Sequence, residues 1–214
     1  MKSKPNRDGQ ATRSRLLRAA FREFHRFGYR GADLGRILET AGLTKGALYY
    51  HFRSKKDLAY AVIEENVREW IAQRWLQPLA GSRDPLQSMA ELARWGERSA
   101  TAAGMSLGCP LNRLSQELSG TDEGFRQRLA AIFQGWRAEV EALLAAAQER
   151  GVVRADADVA AAATFIVAAW EGSIGLAQAL PSPSILGQCR TGLEAYLESL
   201  RSKSDGTSLA AGGS

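Results

Sequence analysis

Cysteine and histidine are scarce in this chain of 214 residues. Cys109 and Cys189 are its only cysteines, and His25 and His51 its only histidines. Two thiols supply neither a disulfide framework nor a cysteine-rich zinc site. With both histidines near the N-terminus, the body of the chain has no Cys–His or Ser–His pair for nucleophilic catalysis. It also has no phosphate-cradling glycine loop. Lone acids such as Glu117 and Glu171 would stand unsupported. An enzyme is therefore not expected, and neither a metal nor a cofactor is implied. No unbroken run of about 18 apolar residues suggests a membrane span. The stretch "MKSKPNRDGQATRSR" lacks the apolar core of a secretion signal. A cytoplasmic protein without membrane association is the expectation. Runs of alternating β-branched residues bounded by turn signals are also missing, so strands are not expected.

What is present is a globular composition, 45% hydrophobic and 24% charged, with a lopsided charge. Residues 1–55 hold 13 Lys and Arg against 4 Asp and Glu, a net +9. Residues 56–214 hold 15 against 19, a net −4. A basic head on a mildly acidic body points to a polyanionic partner for the head alone.

Helical periodicity runs through nearly the whole chain, and the start signals are legible. Asp84-Pro85 and Ser182-Pro183 pair a capping side chain with a proline suited to the first helical turn. Cys109-Pro110 has the same form with a poorer cap, and Asp122 and Asp156 head two long apolar stretches. Gly151 is placed to end the first of these. The patterns predict helices near 10–27, 34–41, 45–51, 55–78, 84–102, 110–119, 122–150, 157–179 and 183–201. The fold class is all-α: an N-terminal three-helix helix-turn-helix domain over 1–54, then a larger helical domain over 55–201. The small, polar tail 202–214 is expected to be disordered.

Within the head, Leu16, Leu17, Ala20, Phe21 and Phe24 share one helical face and arginines fill much of the rest. Gly28 stops that helix. Asp33 caps a second, which turns Leu34, Ile37 and Leu38 inward, and Thr44 caps a third. On the third, Leu48 and Phe52 form the buried stripe, while Gly46, Tyr49 and Tyr50 fall on the opposite, exposed one. Two exposed tyrosines beside a glycine suit a DNA groove. The glycine permits close approach, the rings pack on sugars and thymine methyls, and the hydroxyls reach phosphates. Lys45 occupies the first turn, where recognition helices touch base edges, and His51 flanks the stripe. Ser54 and Asp57 form a capping box, with Lys55 beside it as a phosphate clamp.

The stretch "LLRAAFREFHRFGYRGADLGRILETAGLTKGALYYHFRSKKDLAYAV" resembles the TetR (tetracycline-repressor-like) family of bacterial transcription regulators. The resemblance covers about 50 consecutive residues. It implies DNA contacts at Thr44, Lys45, Gly46, Tyr49, Tyr50, His51 and Lys55. Two positions depart from the family pattern. Asp33 stands where Ser or Thr is usual, and Leu38 where a small residue is.

For the body the resemblance implies a homodimer that reads a double-stranded DNA operator. The alanine-rich helices 122–150 and 157–179 are the natural dimer surface, although their alanines also suit an internal core. A small-molecule effector, largely apolar or aromatic, is expected among Trp95, Met105, Leu107, Cys109, Phe133, Trp136 and Trp170. Each of these also suits plain core filling. "AAGMSLGCPLNRLSQELS" is the candidate gate. The implied mechanism is repression relieved when the effector tilts the 55–78 helix. Two alternatives stand: a thiol-based sensor using Cys109 at a helix N-terminus, and a helical ligand-binding protein without DNA function.

Overall fold

The computed structural model describes residues 7–100, 107–180 and 182–203. Helix α1 spans Arg7–Gly31 but is interrupted at Gly28, whose φ is 73° and ψ 175°. Gly28 thus breaks the helix without ending it, and one further turn follows. A break strips the next residues of their i−4 acceptors. Both freed donors are met by one distant side chain: the Glu117 carboxylate accepts from the N–H of Tyr29 at 2.8 Å and of Arg30 at 2.7 Å. Leu16, Leu17, Ala20 and Phe24 are buried as the spacing predicts, with Phe21 packed against them.

Helix α2, Leu34–Ala41, starts at Asp33, which accepts from the Arg36 N–H at 2.9 Å. It ends at Gly42, whose φ of 60° directs its N–H to Glu39 and that of Leu43 to Leu38. Glu23 of α1 reinforces the junction, accepting from the Asp33 N–H at 3.0 Å and Arg36 Nε at 2.7 Å. Helix α3, Lys45–His51, is capped by Thr44 and buries Leu48, followed by buried Phe52.

Helix α4 is a continuous helical run over residues 55–79. Two π-helical turns, Val62–Val67 and Ala72–Leu76, interrupt its α geometry, and a 3-10 turn, Gln77–Leu79, closes it. The remaining helices are α5, Pro85–Ser99; α6, Pro110–Leu118; α7, Glu123–Glu149; α8, Val159–Ala179; and α9, Pro183–Ser199. Asp84 and Asp122 cap α5 and α7 through their carboxylates. Helix α8 is capped by Asp158, not Asp156, which pairs with Arg154 at 2.7 Å. Ser182 makes no cap bond; its hydroxyl lies 2.9 Å from that of Ser184. Among the described residues there is no strand, only an isolated bridge between Val153 and Arg201. Ser202, the first residue of the expected tail, donates its N–H to Val152 at 3.0 Å. Residues 204–214 lie outside the described residues.

Helices α4, α7 and α8 meet at three near-parallel indoles. Trp75 stacks on Trp170 at 4.9 Å and on Trp136 at 5.6 Å between ring centroids, and Trp136 lies 6.0 Å from Trp170. The apolar stripe of α7, from Phe125 through Trp136 to Ala147, is spent on this core. Its outward positions are largely polar or small, among them Arg126, Gln134 and Glu139. Helix α8 differs. By length and composition it is apolar enough to cross a membrane, although its apolar run is not unbroken, and 33% of its most apolar window is buried. Phe165, Leu176 and Leu180 remain exposed on it.

Gly28 cannot be replaced without strain. A Cβ there would lie 2.5 Å from Glu117 Oε2, at a φ that disfavours side chains. Gly28→Ala should cost about 1–3 kcal/mol. Thermal melting should show it as a drop of roughly 2–4 °C per kcal/mol.

Candidate nucleic-acid interface and effector cavity

The exposed face of α3 is what the sequence predicts. Tyr49 is 56% and Tyr50 83% exposed, although both are large aromatics. The space around Gly46 is open, with a built Cβ meeting only Thr44 Oγ1 at 3.8 Å. Thr44 Oγ1 accepts from the Ala47 N–H at 3.3 Å and fixes the start of the helix. Lys45 is exposed. His51 stands edge-on to Tyr50 at 4.9 Å, and burial, with Arg13 nearby, holds its pKa below the ordinary value. At neutral pH His51 is therefore an uncharged donor.

Lys55 is placed differently from the expectation. Its ammonium donates to the Ala32 carbonyl at 2.6 Å and lies 4.9 Å from the centre of the Tyr29 ring. Burial lowers its pKa. It fastens the junction of α1 and α2 instead of standing in solvent as a clamp. Lys56 is likewise engaged, with Asp122 Oδ2 at 2.6 Å. The cation left beside Ser54 is Arg53, exposed and without an ion pair among the described residues. Sequence reasoning passed over it because it precedes the cap.

Behind the head, α4, α5, α8 and α9 enclose a cavity of about 310 Å³. Of the seven candidate effector residues, Leu107 and Trp170 are on its wall. Trp95 lines a neighbouring cleft with Trp70 and Arg74. Trp136 is 1% exposed and Cys109 2% exposed, and neither is on the wall. They belong to the packing beneath it, as does partly buried Phe133. Met105 lies outside the described residues, as does much of the candidate gate. The wall also includes His25 of α1, whose Nε2–H donates to the Gly108 carbonyl at 2.9 Å. Burial depresses the His25 pKa more than this bond raises it. One residue of the DNA-reading head therefore lines the cavity of the body.

Cys109 heads α6, but the helix N-terminus does not make it a thiolate. Burial pushes its pKa well up, and the neighbouring Glu171 carboxylate pushes it the same way. Glu171 is itself buried, and burial raises its pKa. The thiol and the Asn112 side chain are its polar neighbours, but neither of its oxygens has a hydrogen bond of normal geometry. The sensor alternative loses its chemical basis at this position.

Comparison with known proteins gives two family matches. Residues 16–62 match "Bacterial regulatory proteins, tetR family", and residues 85–193 match "Tetracyclin repressor-like, C-terminal domain". An uncharacterized HTH-type transcriptional regulator in the lacX 3′ region of Lactococcus lactis is 30% identical over 135 residues, covering 63% of this chain and 69% of that protein. The HTH-type transcriptional regulator RutR of Escherichia coli K12 is 30% identical over 140 residues, covering 62% of this chain and 65% of RutR. Among solved structures, a TetR transcriptional regulator from Chloroflexus aurantiacus superposes with a TM-score of 0.79 at 29% identity. That match covers 92% of this chain and 98% of the other.

Two outcomes follow for the groups around these sites. In the folded protein at neutral pH, iodoacetamide should alkylate half-buried Cys189 and leave Cys109 unmodified, as read by peptide mass mapping. The Asp122 carboxyl is held down to about 2, first by Lys56 and then by the Tyr60 hydroxyl. A depressed carboxyl stabilises the fold above its unfolded pKa and loses that contribution as pH falls. The melting-temperature gap between wild type and Asp122→Asn should thus hold above pH 4 and close towards pH 2.

Proposed function

The chain belongs to the TetR family of bacterial transcriptional regulators, and from that premise we propose that it is a cytoplasmic repressor. In this reading residues 1–54 bind a palindromic operator, and residues 55–201 hold the dimer together and bind the effector. A small, largely apolar or aromatic molecule entering the cavity releases the DNA. The observation that carries the reading is the outward Tyr49–Tyr50 stripe on α3. Burial of apolar surface drives folding, so leaving two large rings in water has no value to the fold. Thr44, Lys45, Gly46 and His51 lie with the tyrosines at the DNA surface. Arg53 takes the phosphate role that Lys55 was expected to fill.

Coupling runs through the elements that bound the cavity. His25 belongs to α1, and Trp70, Arg74 and Trp75 belong to α4, which follows the recognition helix after Phe52, Arg53 and Ser54. An effector that displaces His25 from Gly108, or pushes α4, changes the spacing of the two recognition helices. That spacing must stay near 34 Å, or a multiple of it, for both to enter the major groove. A coupling of about 1–3 kcal/mol suffices for a useful switch.

The second copy docks on α8 and α9 in this proposal. Helix α7 is left out because, among the described residues, it exposes no large apolar side chain, whereas α8 exposes Phe165 and Leu176. Exposed Phe165, Ala168, Gly172 and Leu176 on α8 adjoin exposed Thr191, Gly192 and Ala195 on α9. Small residues allow close helix approach, and the larger apolar groups gain burial.

Duplex DNA from upstream of the gene should bind with affinity that falls steeply with salt, the logarithmic slope growing by about 0.9 per phosphate contact. Tyr49→Ala should weaken binding at least about ten-fold at an unchanged melting temperature, since the ring is exposed. Binding that survives this change would remove the DNA-reading assignment of α3. Leu176→Arg should give monomers in sedimentation and lose operator affinity, and a dimer that persists would reject the α8–α9 face.

A further inference from the structure

The effector cavity is bordered by a cation with no ion pair among the described residues, Arg74, which also borders the neighbouring cleft where Glu91 accepts from Gln87. Arg74 lies in the second π-helical turn of α4, partly withdrawn from water. Its guanidinium carbon is 4.6 Å from the centre of the Trp95 ring, 5.7 Å from Trp75 and 6.0 Å from Trp70. Among the described residues it has no ion pair and no hydrogen bond. Burial lowers its pKa, and the one ionisable group acting on it is Cys109, which burial keeps neutral.

The other wall charges are balanced. Arg190 is held by Glu97 and Glu194, each at 2.6 Å. His25 is neutral and committed to Gly108. Glu171 is not on the wall. Two further donors are unused, because the indole N–H groups of Trp75 and Trp170, both wall residues, are buried without a hydrogen-bond partner among the described residues. The unmatched polar groups of these residues are donors, and one of them is charged. A desolvated guanidinium and buried N–H groups gain most from a ligand that brings acceptors and negative charge.

We infer that the ligand of this cavity is a small monoanionic amphiphile, an aromatic or aliphatic carboxylate, whose carboxylate meets the Arg74 guanidinium while its apolar body packs among the tryptophans. The inference rests on the effector-cavity reading above and adds the charge of the effector to it. A planar guanidinium matches a carboxylate in bidentate geometry, and such charge-assisted bonds are about twice as strong as neutral ones. A single uncompensated cation favours a monoanion over a phosphate dianion. A cavity of about 310 Å³ is at the small end of ligand sites, which span roughly 300–1,000 Å³.

The test uses the full chain and two matched probe pairs, indole-3-acetate with indole-3-acetamide and octanoate with octanamide. Binding is read by calorimetry and by the shift in melting temperature. The expected result is that at least one acid binds about ten-fold or more tightly than its amide. Arg74→Gln should abolish that preference while leaving the affinity of the amide unchanged, and Arg74→Lys should restore only part of it. The acid–amide comparison in wild type stands even if the variants fold poorly. Equal affinity for acid and amide, undiminished acid binding in Arg74→Gln, or no binding of either acid at millimolar concentration would overturn the inference. If an amide alone binds and weakens operator affinity, the effector cavity survives and the anion assignment fails. If bound acid leaves operator affinity unchanged, the anion site stands and the effector reading fails.

Discussion

The relation between the DNA-reading head and the body depends on a helix break answered from far along the chain. Gly28 takes a left-handed φ that interrupts α1 and leaves the N–H groups of Tyr29 and Arg30 without helical acceptors. Glu117 on α6 accepts from both. The Tyr29 N–H is partly withdrawn from water, where a donor without an acceptor is costly, so the pair of bonds favours one placement of α6 against α1. Nearby, Lys55 ties α4 to Ala32, and Asp122 at the start of α7 ties Lys56 and Tyr60 of α4. The head is thereby held by directional polar bonds as well as by non-directional apolar packing. Directional bonds have few good geometries, so they restrict how the head sits on the body.

Beyond that joint the body is organised around the indoles of Trp75, Trp136 and Trp170. Each comes from a different helix, so the stack fixes the mutual placement of α4, α7 and α8. Trp136 sits beneath the cavity and Trp75 and Trp170 on its wall. The packing that stabilises the body therefore also forms the floor of its cavity. Two π-helical turns lie in α4, the later one carrying Arg74 and Trp75. Such turns recur at functional sites. Here α4 borders both the head and the cavity.

Much of the head was legible in the residues because its determinants are local. Leu16, Leu17, Ala20 and Phe24 share a face by helical period, and Asp33, Thr44 and Ser54 cap through bonds spanning three residues. Tyr49 and Tyr50 point outward by spacing alone, because Leu48 and Phe52 occupy the inward stripe. The errors arose where a side chain has a choice of partners. The place of Lys55 in a helix start points it to solvent, but its long flexible stem reaches Ala32 across a chain separation of 23 residues. Asp156 and Asp158 both suit a cap, and the ion pair with Arg154 occupies the first. The spacing of Gly28 announced a stop and could not reveal Glu117.

By itself the sequence determined the helical class, the capped three-helix head, the outward tyrosines and the uneven charge. These follow from periodicity and from bonds between residues a few positions apart. Only the tertiary structure decided which tryptophans line the cavity and which lie beneath it, and that Cys109 is buried, which raises its pKa. It also decided that α8 rather than α7 keeps large apolar residues in the open and that Arg74 borders the cavity with no ion pair among the described residues. Burial and pairing depend on what several distant segments bring to one place, and no local pattern encodes that.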